Sequence, residues 1–99
     1  MNIVAVTACP TGIAHTYMAA EQIEKTAKSD GHTCKVETQG SMGIENELSS
    51  SDIAAADVVI FAVDIDVEQK ERFEGKKTLQ VSVSEAIKNP KSVLERALA

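Results

Sequence analysis

A thiol, a Pro-Thr-Gly turn and an imidazole follow one another in the segment ACPTGIAHT, residues 8–16. Cys9 stands after an apolar run and before a helical pattern, so free N–H groups of the loop and of the helix N-terminus are expected around its sulfur. Such a field lowers the pKa of a thiol and favours the thiolate, and it also suits a dianionic phosphoryl group. The segment therefore predicts a nucleophilic Cys9 in an anion-binding loop, in preference to a buried cysteine that only fills space.

The residues after Cys9 suit a phosphate cradle. Pro10 restricts the turn and Gly12 permits unusual backbone geometry. Thr11 and Thr16 supply hydroxyl donors. For His15 two interpretations stay open: a phosphate donor or modulator of the thiolate, and a histidine exposed to water at the helix start.

The nearest competing chemistry is that of cysteine phosphatases, which place Cys, five residues, Arg and then Ser or Thr. Here the spacing holds and Thr16 fits, but His15 stands at the arginine position. An imidazole cannot reproduce the bidentate clamp of a guanidinium, which favours a carrier that keeps its phosphate from water. There is no Cys-x-x-Cys and no nucleotide-binding P-loop, and we expect no cofactor and no metal.

The elements that must position this segment alternate between strands and helices, which is typical of an α/β domain. The strongest strand signals are residues 2–7, 33–38, 57–63 and 78–83, and helical patterns follow them near residues 13–28, 49–56, 67–73 and 90–98. Right-handed crossovers then predict a three-layer αβα sandwich, Rossmann-like or flavodoxin-like. Its four-stranded parallel sheet has the order 2-1-3-4.

The patterns also predict which side chains are buried. The first helix is expected to bury a stripe of residues, Ile13, Tyr17, Ala20, Ile23 and Ala27. In the second strand, Cys34, Val36 and Thr38 share the covered face, while Lys35 and Glu37 share the other. Ser49 and Asp52 form a candidate capping box. Periodicity places Phe73 in the core and Arg72 on the surface.

Ligands of such sheets bind outside the carboxyl ends of the strands, where three loops are expected to meet. These loops are residues 8–16, 39–45 and 64–66. Asp64 and Asp66 are interpreted as a turn and helix cap, because they would repel a phosphate. Cys34 begins the second strand, about 15 Å from Cys9 at the usual rise per residue, which is too far for a disulfide.

The composition limits the function classes. Ninety-nine residues form one domain, and a net charge of −5 argues against nucleic acid. The longest apolar runs are far shorter than a membrane span, and the N-terminus lacks the pattern of a signal peptide. We therefore expect a soluble, cytosolic chain.

The segments VTACPTGIAHTYMAAE, VETQGSMGIENEL, DVVIFAVD and ERFEGK carry a resemblance over roughly residues 2–98. Together they resemble the fructose-type IIB component of the bacterial phosphoenolpyruvate-dependent sugar phosphotransferase system (PTS). The resemblance implies a single fructose-like (type 2) EIIB domain over residues 1–99. It also implies an enzyme, a protein-phosphohistidine–sugar phosphotransferase with a phosphocysteine intermediate.

In that mechanism Cys9 takes the phosphoryl group from a phosphohistidine of a IIA partner and passes it to the sugar that a membrane IIC partner imports. The resemblance makes residues 10–16 the phosphate-binding loop: Pro10, Thr11, Gly12, Ile13, Ala14, His15 and Thr16. A second matched loop is expected to contact a partner or the phosphoryl group, or to be only a glycine turn: Gln39, Gly40, Ser41 and Gly43.

The resemblance further implies a cytoplasmic protein that meets the inner face of the membrane through IIC without inserting into it. Fructose is the default sugar, with a fructose-like sugar or mannose as alternatives. The chain is either a free subunit or a domain of a longer polypeptide. Two other functions stay open: a regulatory phosphocysteine module without onward transfer, and a weak cysteine phosphatase.

Overall fold

The computed structural model describes residues 1–8, 13–40 and 43–99. Within them the strands are β1 (Asn2–Ala8), β2 (Thr33–Gly40), β3 (Gly43–Glu45), β4 (Val58–Val63) and β5 (Thr78–Val81). The α-helices are α1 (Ile13–Ser29), α2 (Ser50–Ala55), α3 (Val83–Lys88) and α4 (Pro90–Leu98). A 3-10 helix covers Lys70–Phe73.

The strands form one sheet in the order β3-β2-β1-β4-β5. β1, β2, β4 and β5 are parallel, whereas β3 pairs antiparallel with β2. The α/β class is thus confirmed, but the predicted four-stranded, purely parallel sheet is wrong, because the sheet is mixed and has a fifth strand at its edge. That strand is only three residues long, and so short a segment carries no alternating pattern that marks it as a strand.

Two apolar clusters cover the two faces of the sheet. One contains Ile3, Ala5, Val36 and Ile60 from the strands, packed against buried side chains of α1, α3 and α4. The other contains Val4, Val6 and Phe61, packed against Ile53 of α2 and Phe73 of the 3-10 helix. Phe73 therefore lies in the core, as predicted. The first face is called the α1 face below, and the second the α2 face.

Helix α1 buries the predicted stripe in its later turns but not at Tyr17. Ile23 and Ala27 are fully buried, but Tyr17 is 42% exposed and Thr16 only 2% exposed. The tyrosine hydroxyl donates a hydrogen bond to Glu45, so the ring lies at the surface with its polar end engaged. A threonine was not expected inside because it is polar, yet its methyl group allows it to pack.

Strand β2 also differs from the prediction, at Glu37. Lys35 is exposed as predicted, but Glu37, expected on the same open face, has no exposed surface. The chain that leads into α2 and the 3-10 helix covers this end of the strand. Burial of a carboxylate demands a partner, which belongs to the functional edge described below.

The helices that follow β4 and β5 differ in detail from the patterns. The helix expected over residues 67–73 is the 3-10 helix Lys70–Phe73. β5 ends at Val81, and Ser82 accepts a hydrogen bond from the Glu85 N–H (3.1 Å) to begin α3, which the sequence pattern did not reveal. Helix α4 begins at Pro90 as predicted, since a proline is tolerated at the first helical position.

The predicted capping box at α2 is confirmed. Ser49 Oγ accepts from the Asp52 N–H at 3.1 Å, and Asp52 Oδ2 accepts from the Ser49 N–H at 2.9 Å. Lys35 Nζ also donates to Asp52 Oδ2 at 2.8 Å. The hydrogen bond from Lys35 first, and then hydrogen bonds to the carboxylate from the backbone and side chain of Ser49, lower the pKa of Asp52 from 3.8 to about 2.

This lowered pKa predicts a pH-dependent contribution to stability. Because the folded-state pKa of Asp52 lies below its ordinary value, the contribution is present above about pH 4 and is lost as the pH falls toward 2. Asp52→Asn is expected to unfold at lower urea concentration than the wild type at pH 7, with the two midpoints converging at acid pH. Asp66→Asn, at an exposed carboxylate, is the matched control. A difference that is the same at every pH would contradict the assignment.

Candidate functional site

The carboxyl ends of the four parallel strands lie along one edge of the sheet, the carboxyl edge. The predicted nucleophile Cys9 and its neighbours Pro10, Thr11 and Gly12 lie outside the described residues, as do Ser41 and Met42. Their roles remain predictions. The described chain around them shows what holds the edge together.

Both ends of the segment that carries Cys9 are anchored to the sheet. Before it, the Ala8 carbonyl accepts a hydrogen bond from the Asp64 N–H at 3.0 Å, which ties the end of β1 to the chain leaving β4. After it, the Thr16 carbonyl accepts from Thr7 Oγ1 at 3.1 Å, in a buried contact that ties the first turn of α1 to β1. The start of the helix is thus held against the carboxyl edge.

The first turn of α1 suits an anion. It begins at Ile13 and contains no acidic residue, so no side-chain charge opposes the positive end of the helix dipole. Ala14 and His15 are both exposed. The imidazole is therefore accessible at the edge, and both interpretations of His15 stay open.

The second predicted loop is a β-hairpin between β2 and β3. Gly43 has φ +91°, a left-handed backbone that glycine adopts without strain. Gln39 is only 4% exposed. Its amide donates to Glu37 Oε2 (2.7 Å) and to the Glu68 carbonyl (3.2 Å), while its Oε1 accepts from the Glu68 N–H (2.9 Å). Contacts of Gln39 and Gly43 with a partner or phosphoryl group stay predictions.

The first acid of the third loop, Asp64, is engaged with α3. Asp64 Oδ1 accepts from the Val83 N–H at 3.3 Å, at the first residue of α3. The predicted cap role thus falls on α3 instead of the segment 67–73. Asp66 is exposed.

A buried ion pair stands beside the second loop, and the sequence patterns did not reveal it. Arg72 donates from Nη1 to Glu37 Oε1 and from Nη2 to Glu37 Oε2, both at 2.9 Å. The Leu48 N–H also donates to Oε1 at 2.9 Å, and the Gln39 amide donates to Oε2. The side chain of Arg72 is 17% exposed and that of Glu37 is fully buried. The prediction from periodicity that Arg72 lies on the surface is thus wrong, because its guanidinium is paired with a buried carboxylate.

The charge state of Glu37 follows from two opposed effects. Burial acts to raise its pKa, but the hydrogen bonds from Arg72, from the Leu48 N–H and from Gln39 together outweigh it and lower the pKa. The carboxylate is therefore ionised at neutral pH. It joins β2 to the chain entering α2 and to the 3-10 helix, and so holds the frame from which the hairpin projects.

The described residues give no sign of a metal site, since they contain no group of three acidic, histidine or cysteine side chains that would hold an ion. Cys34 pairs in register with Ile3, at the far end of the sheet from Ala8 and Gln39. Its thiol is free, and burial first, with the charge of Glu24, raises its pKa to about 12. Such a thiol is a poor nucleophile, as expected for a cysteine with a packing role.

Comparisons with known proteins extend over nearly the whole chain. The family model described as PTS system, Lactose/Cellobiose specific IIB subunit, matches residues 4–96. The chain is 52% identical over 95 residues to the "PTS system fructose-like EIIB component 2" of Escherichia coli strain K12, covering 96% of this chain and 90% of that protein.

Two further relatives come from larger proteins. The "PTS system fructose-specific EIIABC component" of Bacillus subtilis strain 168 is 50% identical over 97 residues, which are 98% of this chain and 15% of that protein. The crystal structure of a domain from a fructose-specific IIABC component of Borrelia burgdorferi superposes with a TM-score of 0.91. It is 53% identical, and the match covers 96% of this chain and 90% of that one.

The ion pair yields a prediction about stability. Arg72→Met leaves the Glu37 carboxylate buried without its main partner, and this is expected to lower the free energy of unfolding by about 3–5 kcal/mol at pH 7. Arg72 makes the strongest of the contacts that lower the pKa of Glu37, so without the guanidinium burial is expected to raise that pKa. The deficit should therefore shrink as the pH falls and the carboxyl takes up a proton in the folded state.

The matched control is the double variant Glu37→Gln with Arg72→Met. The neutral amide keeps an acceptor for the Leu48 N–H and removes the buried charge, so the double variant should be more stable than Arg72→Met at pH 7. Urea unfolding from pH 4 to pH 8 measures all three proteins. A deficit that does not depend on pH, or a double variant no better than the single one, would contradict the buried-charge account.

Proposed function

The chain belongs to the IIB family of the bacterial sugar phosphotransferase system, and from this membership we propose that Cys9 relays a phosphoryl group from a IIA protein to a fructose-type sugar. The observation that carries the proposal is the match to fructose-type EIIB components along almost the entire chain. The position of Cys9, one residue after the anchored end of β1, supports it.

In the first half of the relay the Cys9 thiolate attacks the phosphorus of a phosphohistidine on IIA. A sulfur–phosphorus bond forms as the nitrogen–phosphorus bond breaks, and the departing imidazole regains its lone pair. The proton that left the thiol balances the charge on the imidazole or in solvent. The first turn of α1 favours this step, because its dipole stabilises both the thiolate and the phosphoryl oxygens.

In the second half a hydroxyl of the sugar held by IIC attacks the same phosphorus. An oxygen–phosphorus bond forms, the sulfur–phosphorus bond breaks, and Cys9 is again a thiolate while the hydroxyl proton passes to a base or to solvent. There is no net oxidation in either half. Positioning and N–H donors supply most of the catalysis, since the protein contributes only the nucleophile.

Residues 10–16 form the phosphate-binding loop of this proposal, with His15 exposed at its end. Gln39 and Gly43 lie where β2 ends and β3 begins, at the same edge of the sheet. The hydrogen bonds between Gln39 and Glu68 support a fixed surface there, against which a partner docks. The whole of residues 1–99 forms one IIB domain.

The partners follow from the names of the relatives. The Bacillus subtilis relative is an EIIABC component, which joins IIA, IIB and IIC in one polypeptide. Among the described residues of this chain, no helix is sufficiently long and apolar to cross a membrane. In this proposal a IIC partner, of the kind named in that relative, brings the domain to the inner face of the membrane. The relatives named for fructose favour a fructose-type sugar, although the family model names lactose and cellobiose.

Phosphoryl acceptance tests the role of Cys9. Incubation with phosphorylated IIA should add the mass of one phosphoryl group to the wild type and to Cys34→Ala, and none to Cys9→Ala. The thiol of Cys34 lies at the opposite end of the sheet and has a raised pKa, so its removal should not slow acceptance. Acceptance by a folded Cys9→Ala protein, or its loss in a folded Cys34→Ala protein, would contradict the proposal.

Membranes that contain IIC and fructose then separate the relay from its two alternatives. The relay predicts that the phosphorylated domain is stable alone and loses its phosphoryl group to sugar when IIC and fructose are added. A regulatory module would keep the group under those conditions. A phosphatase would release inorganic phosphate rapidly without sugar.

A further inference from the structure

Thr38 has a buried hydroxyl that finds no hydrogen-bond partner. The residue is 4% exposed, and its Oγ1 is the one buried side-chain oxygen or nitrogen that is unpartnered among residues 1–8, 13–40 and 43–99. A buried hydroxyl without a partner costs free energy, and native structures contain few of them. Such a group therefore needs a physical reason.

Thr38 lies at the carboxyl edge of the sheet, on the α1 face. Its register partners are Thr7 on β1 and Glu45 on β3. Because side chains alternate along a strand, Thr38 shares its face with Val36, which packs in the cluster beneath α1. The hydroxyl thus lies on the same side of the sheet as the anchored start of α1.

The polar groups beside Thr38 are already engaged with one another. Thr7 donates to the Thr16 carbonyl at 3.1 Å. Glu45, directly opposite Thr38, accepts from the Tyr17 hydroxyl. Of these neighbouring hydroxyls, that of Thr38 alone has neither a donor nor an acceptor among the contacts of the described chain.

We propose that the Thr38 hydroxyl is a donor to the phosphoryl group carried by the domain, a role outside both predicted loops. This inference rests on the proposed function, because the phosphoryl group supplies the missing acceptor. Its oxygens are charged, and a hydrogen bond to a charged acceptor away from water is among the stronger ones. Thr38 is the register partner of Thr7 on the neighbouring strand, and Cys9 follows Thr7 by two residues in the sequence.

Because the Thr38 hydroxyl has no partner in the unphosphorylated protein, removing it separates an effect on phosphoryl exchange from an effect on stability. Thr38→Val keeps the shape and removes the hydroxyl, so the unphosphorylated protein should lose no stability, since no bond is broken. The equilibrium of phosphoryl exchange with IIA should shift against the phosphorylated domain by about tenfold or more. Thr38→Ser, which retains a hydroxyl, should restore most of the wild-type equilibrium.

Thr33→Val is the matched control, because it makes the same change at the other end of the same strand. There the hydroxyl donates to Asn2 Oδ1, so stability should fall while the exchange equilibrium stays as in the wild type. The two valine variants are thus expected to behave in opposite ways. Thr38→Val changes the exchange equilibrium but not urea unfolding, and Thr33→Val changes urea unfolding but not the exchange equilibrium.

Two results would overturn the inference. If Thr38→Val exchanges phosphoryl groups as the wild type does, the hydroxyl binds only an internal water or nothing. If Thr38→Val is destabilised before phosphorylation and Thr38→Ser does not restore exchange, the role is structural packing. Failure of the proposed function is distinct from both, because the wild type itself would then accept no phosphoryl group.

Discussion

The buried bidentate pair of Glu37 and Arg72 is the interaction on which the functional edge depends. It holds the end of β2, the chain entering α2 and the 3-10 helix in one arrangement, and Gln39 extends it to the Glu68 backbone. A buried ion pair adds little net stability compared with apolar packing. Removing one of its two partners is strongly destabilising, because the other charge is then buried without compensation. The role of the pair here is to fix geometry, because it holds the end of β2 in one position where the β2–β3 hairpin begins.

The two faces of the sheet have different roles at this edge. On the α2 face the charges are paired and give rigidity. On the α1 face lie the hydroxyl side chains of Thr7 and Thr38, and that of Thr7 fixes the start of α1 to the sheet. A domain that must receive and release a phosphoryl group needs a rigid frame and neutral donors, because a fixed cation would bind the group too tightly to pass it on.

Local sequence patterns predicted the strands and helix starts well, but they predicted the contacts at the carboxyl edge poorly. The buried parallel strands, the capping box at Ser49 and the start of α4 at Pro90 depend on neighbouring residues, and all were correct. Alternation along β2 placed Glu37 on the open face with Lys35, whereas the chain entering α2 and the 3-10 helix contact and cover Glu37. No periodicity links Glu37 to Arg72, since 35 residues separate them. The position of Cys9 and the resemblance predict its role, but only tertiary structure reveals that Thr38 lacks a partner.

The central claim is that the phosphoryl group is carried on the sulfur of Cys9. Phosphorus-31 NMR of the domain after incubation with phosphorylated IIA tests this most directly, because sulfur, nitrogen and oxygen give a bound phosphorus distinct chemical shifts. We expect a single protein-bound resonance of an S-linked phosphorothioate monoester, and we expect it to be absent from Cys9→Ala. A phosphoramidate resonance, which would place the group on an imidazole such as that of His15, would contradict it.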